Sequence, residues 1–358
     1  MKQLLPILPL LLRANAHLIP TPSPNLQGLQ NLPDLLHPIF PSLNPDRGSG
    51  SDSDSSIIPP QLDYTLTWHD EFTSSPSTNN ENESHLPSPS NWLFDTGTSY
   101  PSGAPNWGNN ELETYTTSPT NIHITPLNTL KITPRRQTAP GSETPTWTSA
   151  RIETARTDFL APRGGKLYIE ARLRTGCAPS SQQQGIWPAF WALGQSFRLD
   201  PTLWPMASEW DFVEVINGQP VVYSTLHCGR DRGAGGPCGE YNGLGNGGVR
   251  WSGCNWHAVG FEVDRSLGFS SSGGGGGGGG GGWEQETLTW FLDGQQVHAV
   301  SGEDVGDEQV WESVAHQGHF LLLNVAVGGN WPGYPDENTV DGEEVALEVD
   351  YVRVWNAE

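Results

Sequence analysis

Extended apolar runs are what this sequence most plainly lacks. The most apolar stretch, Leu4 to Leu12, is broken by Pro6 and Pro9 and falls far short of the roughly 20 residues that a membrane-spanning helix needs. Basic residues are scarce as well: 18 Lys+Arg stand against 40 Asp+Glu among 358 residues, a net charge of −22. That balance excludes a nucleic-acid binder, which needs clustered cations to displace counterions from phosphates. It equally excludes docking on an anionic membrane surface. The four cysteines contain no Cys-x-x-Cys pair, and His227 is the only adjacent nitrogen ligand, which argues against a zinc site. No long amphipathic helix is expected, because sustained 3.6-residue periodicity is missing.

What is present starts with an export signature. Met1-Lys2, a short apolar stretch and Ala14-x-Ala16 fit a secretory signal over residues 1–16, so a secreted, extracellular protein is expected. An even cysteine count in an exported chain favours disulfides among Cys177, Cys228, Cys238 and Cys254, with three pairings open. Cys228 and Cys238 bracket a Gly-rich turn that closes easily, yet the pairing stays undecided. Residues 17–62 are rich in Pro, Leu, Asn and Ser without periodicity, which reads as a disordered linker or propeptide. The ten glycines Gly273–Gly282 read as a flexible hairpin loop; no Lys and no helix follow, so they are not a phosphate cradle. Asn82-Glu83-Ser84 is a glycosylation sequon in a polar loop.

From Asp63 onward short strands alternate with turn residues. Lys166–Leu173 and Val345–Trp355 alternate in polarity, and Asp293-Gly294 after an apolar run signals a hairpin turn. Many short strands with Gly and Pro punctuation predict an all-β sandwich or jelly roll over residues 63–358, as a single domain.

The densest chemistry lies in Ser208-Glu209-Trp210-Asp211-Phe212-Val213-Glu214-Val215. On a regular strand Glu209 and Asp211 share a face, whereas Glu214 has the opposite parity. A one-residue bulge at Phe212-Val213 restores Glu214 to that face, with Trp210 directed into the core. Three carboxyls on one face raise one another's proton affinity, as a general acid working near neutrality requires. By itself the cluster also fits a solvated acidic strand or a calcium ligand set. The fifteen tryptophans shift the balance. Trp187 and Trp191 share a face of the strand in Gly185–Leu193, and Trp331 lies in Asn324–Gly333. Indoles beside carboxylates suit a carbohydrate cleft, where sugar rings stack while acids act on the glycosidic bond.

Glu209-x-Asp211-x-x-Glu214 resembles the catalytic motif of glycoside hydrolase family 16, in the bulged form of the laminarinase-like β-glucanases. Trp68-His69-Asp70-Glu71-Phe72, Gly108–Leu112, Ser149–Thr154, Trp187–Gly194, Leu226–Gly229, Asn324–Gly333 and Val349–Val354 resemble further blocks in the family's order, covering essentially residues 63–358. The resemblance implies a concanavalin A-like β-jelly roll and a retaining double displacement on β-glucan. Glu209 is then the nucleophile, Glu214 the general acid/base, and Asp211 the group that tunes the nucleophile. It also implies that Trp187, Trp191 and His227 line the site near the cleaved bond. Asn110 and Arg151 hold sugar on the non-reducing side, and Trp331 adds a stacking face. No cofactor is needed for the chemistry. Family members often carry a structural calcium, and Glu71 and Asp350 sit in the corresponding blocks as its candidate ligands. Trp210 departs from the aliphatic residue usual between the first Glu and the Asp, which its inward direction accommodates.

The expected function is endo-hydrolysis of β-1,3- or mixed β-1,3/1,4-glucan by a monomer whose partner is the polysaccharide. A transglycosylase or galactan-active relative of the same fold is the alternative, and the product profile separates it from hydrolysis. A non-catalytic glucan-binding module of this fold lacks the catalytic glutamates, and both are present here.

Overall fold

The computed structural model describes residues 63–73, 86–138, 146–267 and 282–358. The expected signal segment (1–16), the linker (17–62), the sequon at Asn82 and nearly all of the glycine run lie outside the described residues. Those that are described fall within one compact unit.

Among the described residues, two eight-stranded, antiparallel sheets face each other, as expected of a jelly-roll sandwich. Across the first sheet the order is Leu244–Gly245, Val221–His227, Glu209–Glu214, Ile186–Gly194, His319–Val327, Arg151–Thr154 and Trp92–Asp95, with Val249–Arg250 also paired to Val221–His227. Across the second it is Gln295–Ser301, Thr287–Leu292, His257–Asp264, Lys166–Arg174, Leu347–Ala357, Leu130–Ile132 and Ile122–Ile124, with Thr65–Asp70 on Leu347–Ala357. A small third sheet joins Glu113–Tyr115 in parallel to Thr146–Ser149, which pairs with Arg135–Gln137.

The hairpin expected at Asp293-Gly294 joins Thr287–Leu292 to Gln295–Ser301, and both turn residues take positive φ, 51° and 77°. That geometry matches the twist of the flanking strands. Helix is confined to short pieces among the described residues, and the longest is Glu308–Ala315. Asp307 caps its N-terminus by accepting from Val310 N, and Val310, Trp311, Val314 and Ala315 form its buried stripe.

Between the sheets lies one large apolar core. Trp210, Phe212 and Phe190 project into it from the first sheet, and Phe261 and Trp290 from the second. Their rings meet at centroid separations of 4.7–4.9 Å. Trp210 is 1% exposed, so the departure from an aliphatic residue is absorbed by inward packing. The Trp290 indole also donates to the Asp211 carbonyl at 2.8 Å, tying the acidic strand to the opposite sheet. The four cysteines pair as Cys177–Cys254 and Cys228–Cys238.

Candidate active site

The acidic strand starts from a fixed corner. Ser208 is fully buried with φ 70°; its N–H donates to Pro205 O and its carbonyl accepts from Gly194 N, both at 3.0 Å. Gly194 allows this close approach, since a Cβ there would lie 1.7 Å from the Ala207 carbonyl oxygen. Behind the corner, His319 Nδ1 donates to Gln317 O at 3.0 Å, which leaves Nε2 to accept from the Ser208 hydroxyl at 3.3 Å. Burial pushes His319 down to about 3, so it stays neutral.

The strand then breaks register. Asp211 pairs with Thr225 and Glu214 with Tyr223, so Phe212 and Val213 together oppose Ser224 alone. Against the neighbouring strand, Trp191 pairs with Asp211 and Phe190 with Val213, and Phe212 is again the extra residue. The Ser224 hydroxyl donates to the Phe212 carbonyl at 3.0 Å, satisfying a group that the bulge takes out of the ladder. Phe212 and Val213 both enter the core, and Glu209, Asp211 and Glu214 are left on the outer face.

Each acid has its own surroundings. Glu209 Oε2 accepts from the Trp204 indole at 3.1 Å, and Glu214 Oε1 from the Trp187 indole at 3.2 Å. Asp211, 2% exposed, sits between them with Oδ2 at 3.4 Å from His227 Nε2. The other ring nitrogen of His227, Nδ1, lies 2.8 Å from Glu240 Oε2. Burial raises Glu209, while His227 and the Trp204 hydrogen bond oppose it. Burial, then the charges of Glu214, Glu209 and Glu240, lift Asp211 well above the usual carboxylate range. Glu214 is raised to about 7 by burial and Glu209, against the pull of His227 and Trp187. Burial works against a charge on His227, but Glu240 and the charges of Glu209 and Glu214 overcome it and lift the imidazole to about 9. Near neutrality a cationic His227 therefore stands beside carboxyl groups that hold at least one proton among them.

Beside the triad the floor is aromatic. The Trp191 indole donates to Asn324 Oδ1 at 2.8 Å, and Asn324 Nδ2 donates to the Tyr115 hydroxyl at 3.0 Å. Trp331, 42% exposed, meets Trp187 and Tyr223 edge-on at 5.5 and 5.1 Å. Asn110 is exposed and donates to Asn330 Oδ1 at 2.8 Å, tying two loops together. Arg151 is only 4% exposed: its guanidinium bonds Asp95 and Tyr100 and lies under Tyr100, Trp107 and Trp191 at 4.7–4.9 Å. Its position suits holding rings in place rather than gripping a sugar directly.

Trp204, Glu240, Tyr100, Trp107 and Asn324 were not singled out from the sequence. Trp204 and Glu240 belong to irregular loops, where no strand parity indicates direction. Asn324 had a usable signal, since it lies in the same block as Trp331 and pairs with Ala189, between Trp187 and Trp191.

The candidate calcium ligands do not fit a cation. Both Glu71 oxygens are bonded by Arg353, at 2.8 and 2.9 Å, and Asp350 is bonded by Arg172 at 2.6 Å. Calcium requires six to eight oxygen donors, and these carboxylates are already neutralised by guanidinium groups. Among the described residues, the one group of at least three acid or histidine donors close enough to share an ion is Glu209, Asp211 and His227.

The solved endo-1,3-β-glucanase of Streptomyces sioyaensis shares 35% identity and a TM-score of 0.71 with this chain, covering 85% of it and all of that protein. The chain belongs to the endo-1,3-β-glucanase family of glycoside hydrolases. The endo-β-1,3-glucanase of Pyrococcus furiosus is 28% identical with a TM-score of 0.59, over 82% of this chain and 95% of that one. A β-glucanase of Rhodothermus marinus is 28% identical over 297 residues, 82% of this chain and 85% of its own length. No family model matches the sequence. The acid triad and the indole-lined floor thus belong to a glycoside hydrolase with the fold of these glucanases.

Proposed function

We propose that the chain is a secreted, monomeric enzyme of the family 16 type that cleaves β-1,3-glucan, or mixed β-1,3/1,4-glucan, at internal bonds with retention. Glu209 attacks the anomeric carbon while protonated Glu214 gives its proton to the departing glycosidic oxygen, leaving a glycosyl ester on Glu209. Glu214, now a carboxylate, takes a proton from water, whose oxygen attacks the same carbon and frees Glu209. Asp211, buried between them, tunes the charge on Glu209 as that carboxylate is consumed and regenerated.

The observation that carries this reading is the bulge. It puts two glutamates of one strand on one face, each under an indole N–H, with a carboxyl between them. Retention needs two carboxyls close enough for direct attack, about 5–5.5 Å, and two long side chains on one strand can converge to that spacing. Glu214, lifted to about 7, is suited to deliver a proton near neutrality.

Laminarin and lichenan digests, with products sized and the first anomer read by NMR, test the proposal. Glu209→Gln and Glu214→Gln should each abolish hydrolysis while glucan binding persists. Full hydrolysis by either variant, or inversion at the anomeric carbon, overturns the assignment; products longer than the substrate would mark transglycosylation.

A further inference from the structure

Glu240 is a buried carboxylate outside the acidic strand. Its side chain is 1% exposed, two residues past Cys238, which closes a loop back onto Cys228. Gly235 and Glu240 exchange two backbone hydrogen bonds, at 2.5 and 2.8 Å, which brings the chain back beside Cys228. Both carboxylate oxygens are then used: Oε1 accepts from Cys228 N at 2.9 Å, and Oε2 meets His227 Nδ1 at 2.8 Å. Burying a carboxylate is costly unless it is fully paired. Here the partner is a side chain that faces the acid triad.

We propose that Glu240 is a positioning residue, acting through His227: its backbone pairing with Gly235 of the disulfide-closed loop, and the bond from Cys228 N, hold its carboxylate on Nδ1, so that Nε2 is presented to Asp211. The proposal rests on the glucanase reading of the triad. A carboxylate on Nδ1 fixes the proton there. Whatever the charge of the ring, Nε2 is then the atom that serves Asp211, as a second N–H or as a lone pair. With the second proton in place, the imidazolium supports the ionised forms of the carboxyls around it. Those facing the ring are Glu240 from the loop and Asp211, Glu209 and Glu214 from the acidic strand. The Trp204 ring lies 5.7 Å from that of His227, tilted by 47°, on the loop before the acidic strand. A contact that merely pinned the loop would do none of this to the triad.

The test compares the full chain with Glu240→Gln, which keeps the shape, and Glu240→Asp, which keeps the charge. Histidine-ring NMR reads the His227 protons near pH 8, assigned with His227→Asn. Wild type should carry both N–H protons; Glu240→Gln should lose one and lose about tenfold in kcat on laminarin, with KM nearly unchanged and normal thermal unfolding. Glu240→Asp should recover part of both. A Glu240→Gln ring that keeps both protons, with wild-type kcat, overturns the proposal. Inactive wild-type protein would instead count against the glucanase reading, and the NMR comparison would still decide the state of His227.

Discussion

The indole N–H of Trp204 donates to Glu209 Oε2 at 3.1 Å from a loop five residues upstream. It stabilises the ionised carboxyl against the desolvation that raises its proton affinity. Trp204→Phe keeps the ring and removes the donor, so Glu209 should hold its proton to higher pH. The acidic limb of kcat/KM on laminarin should move upward, and activity below the optimum should fall by roughly tenfold for each pH unit of displacement. An unmoved acidic limb would mean that this bond does not govern the nucleophile.

Trp187 stands in the same relation to Glu214, but the sign at the other limb is what matters. Glu214 is lifted to about 7, and the Trp187 hydrogen bond is one of the forces holding it down. A general acid is active while protonated, so kcat/KM should fall as pH rises through about 7. Trp187→Phe should push that alkaline limb higher, while Trp204→Phe leaves it in place. A pH series on the two variants separates the effects, and opposite or equal shifts would refute the assignment of acid and nucleophile to Glu214 and Glu209.

Sequence patterning made much of this legible. The period-2 alternation of Lys166–Leu173 and Val345–Trp355 foretold strands at Lys166–Arg174 and Leu347–Ala357. The parity conflict between Asp211 and Glu214 pointed to a bulge at Phe212-Val213, where the register does shift. The alternating indoles at 187 and 191 do share the face that carries the acids. Trp204 and Glu240 were illegible because loop direction is set by tertiary contacts and a disulfide rather than by periodicity. Arg151 was visible as a residue but not as a buried one: only the fold shows three rings stacked around its guanidinium. Glu71 and Asp350 looked like cation ligands because the arginines that neutralise them, Arg353 and Arg172, are distant in sequence.

On the opposite sheet, Glu170 is 1% exposed and accepts from the hydroxyls of Tyr351 and Tyr168, at 2.7 and 3.3 Å. Burial raises it to about 7, despite those bonds and Arg353. A carboxyl whose folded pKa exceeds its unfolded value stabilises the fold fully below the unfolded value, near 4.5, and loses that contribution as pH rises through about 7. Glu170→Gln removes this titration. The stability of wild type relative to the variant should therefore drop by up to roughly 3 kcal/mol between pH 4.5 and 8. Denaturant melts at both pH values measure the difference, and a constant gap would show that Glu170 ionises freely in the folded protein.

Trp290 reaches across the core to the Asp211 carbonyl at 2.8 Å, beside the bulge that turns Glu214 toward Glu209. The carbonyl is buried, and losing its donor costs about 1–3 kcal/mol. Trp290→Phe also leaves space beside Phe261, 4.9 Å away, which adds a cavity cost. Urea unfolding should show a lower midpoint with an unchanged slope. Because the bond anchors the backbone of Asp211 itself, kcat on laminarin should fall while KM holds, an effect that loss of stability alone does not produce when the assay is run where both proteins are fully folded. Equal kcat in the two proteins would mean that the bulge is held by the ladder and Ser224 alone.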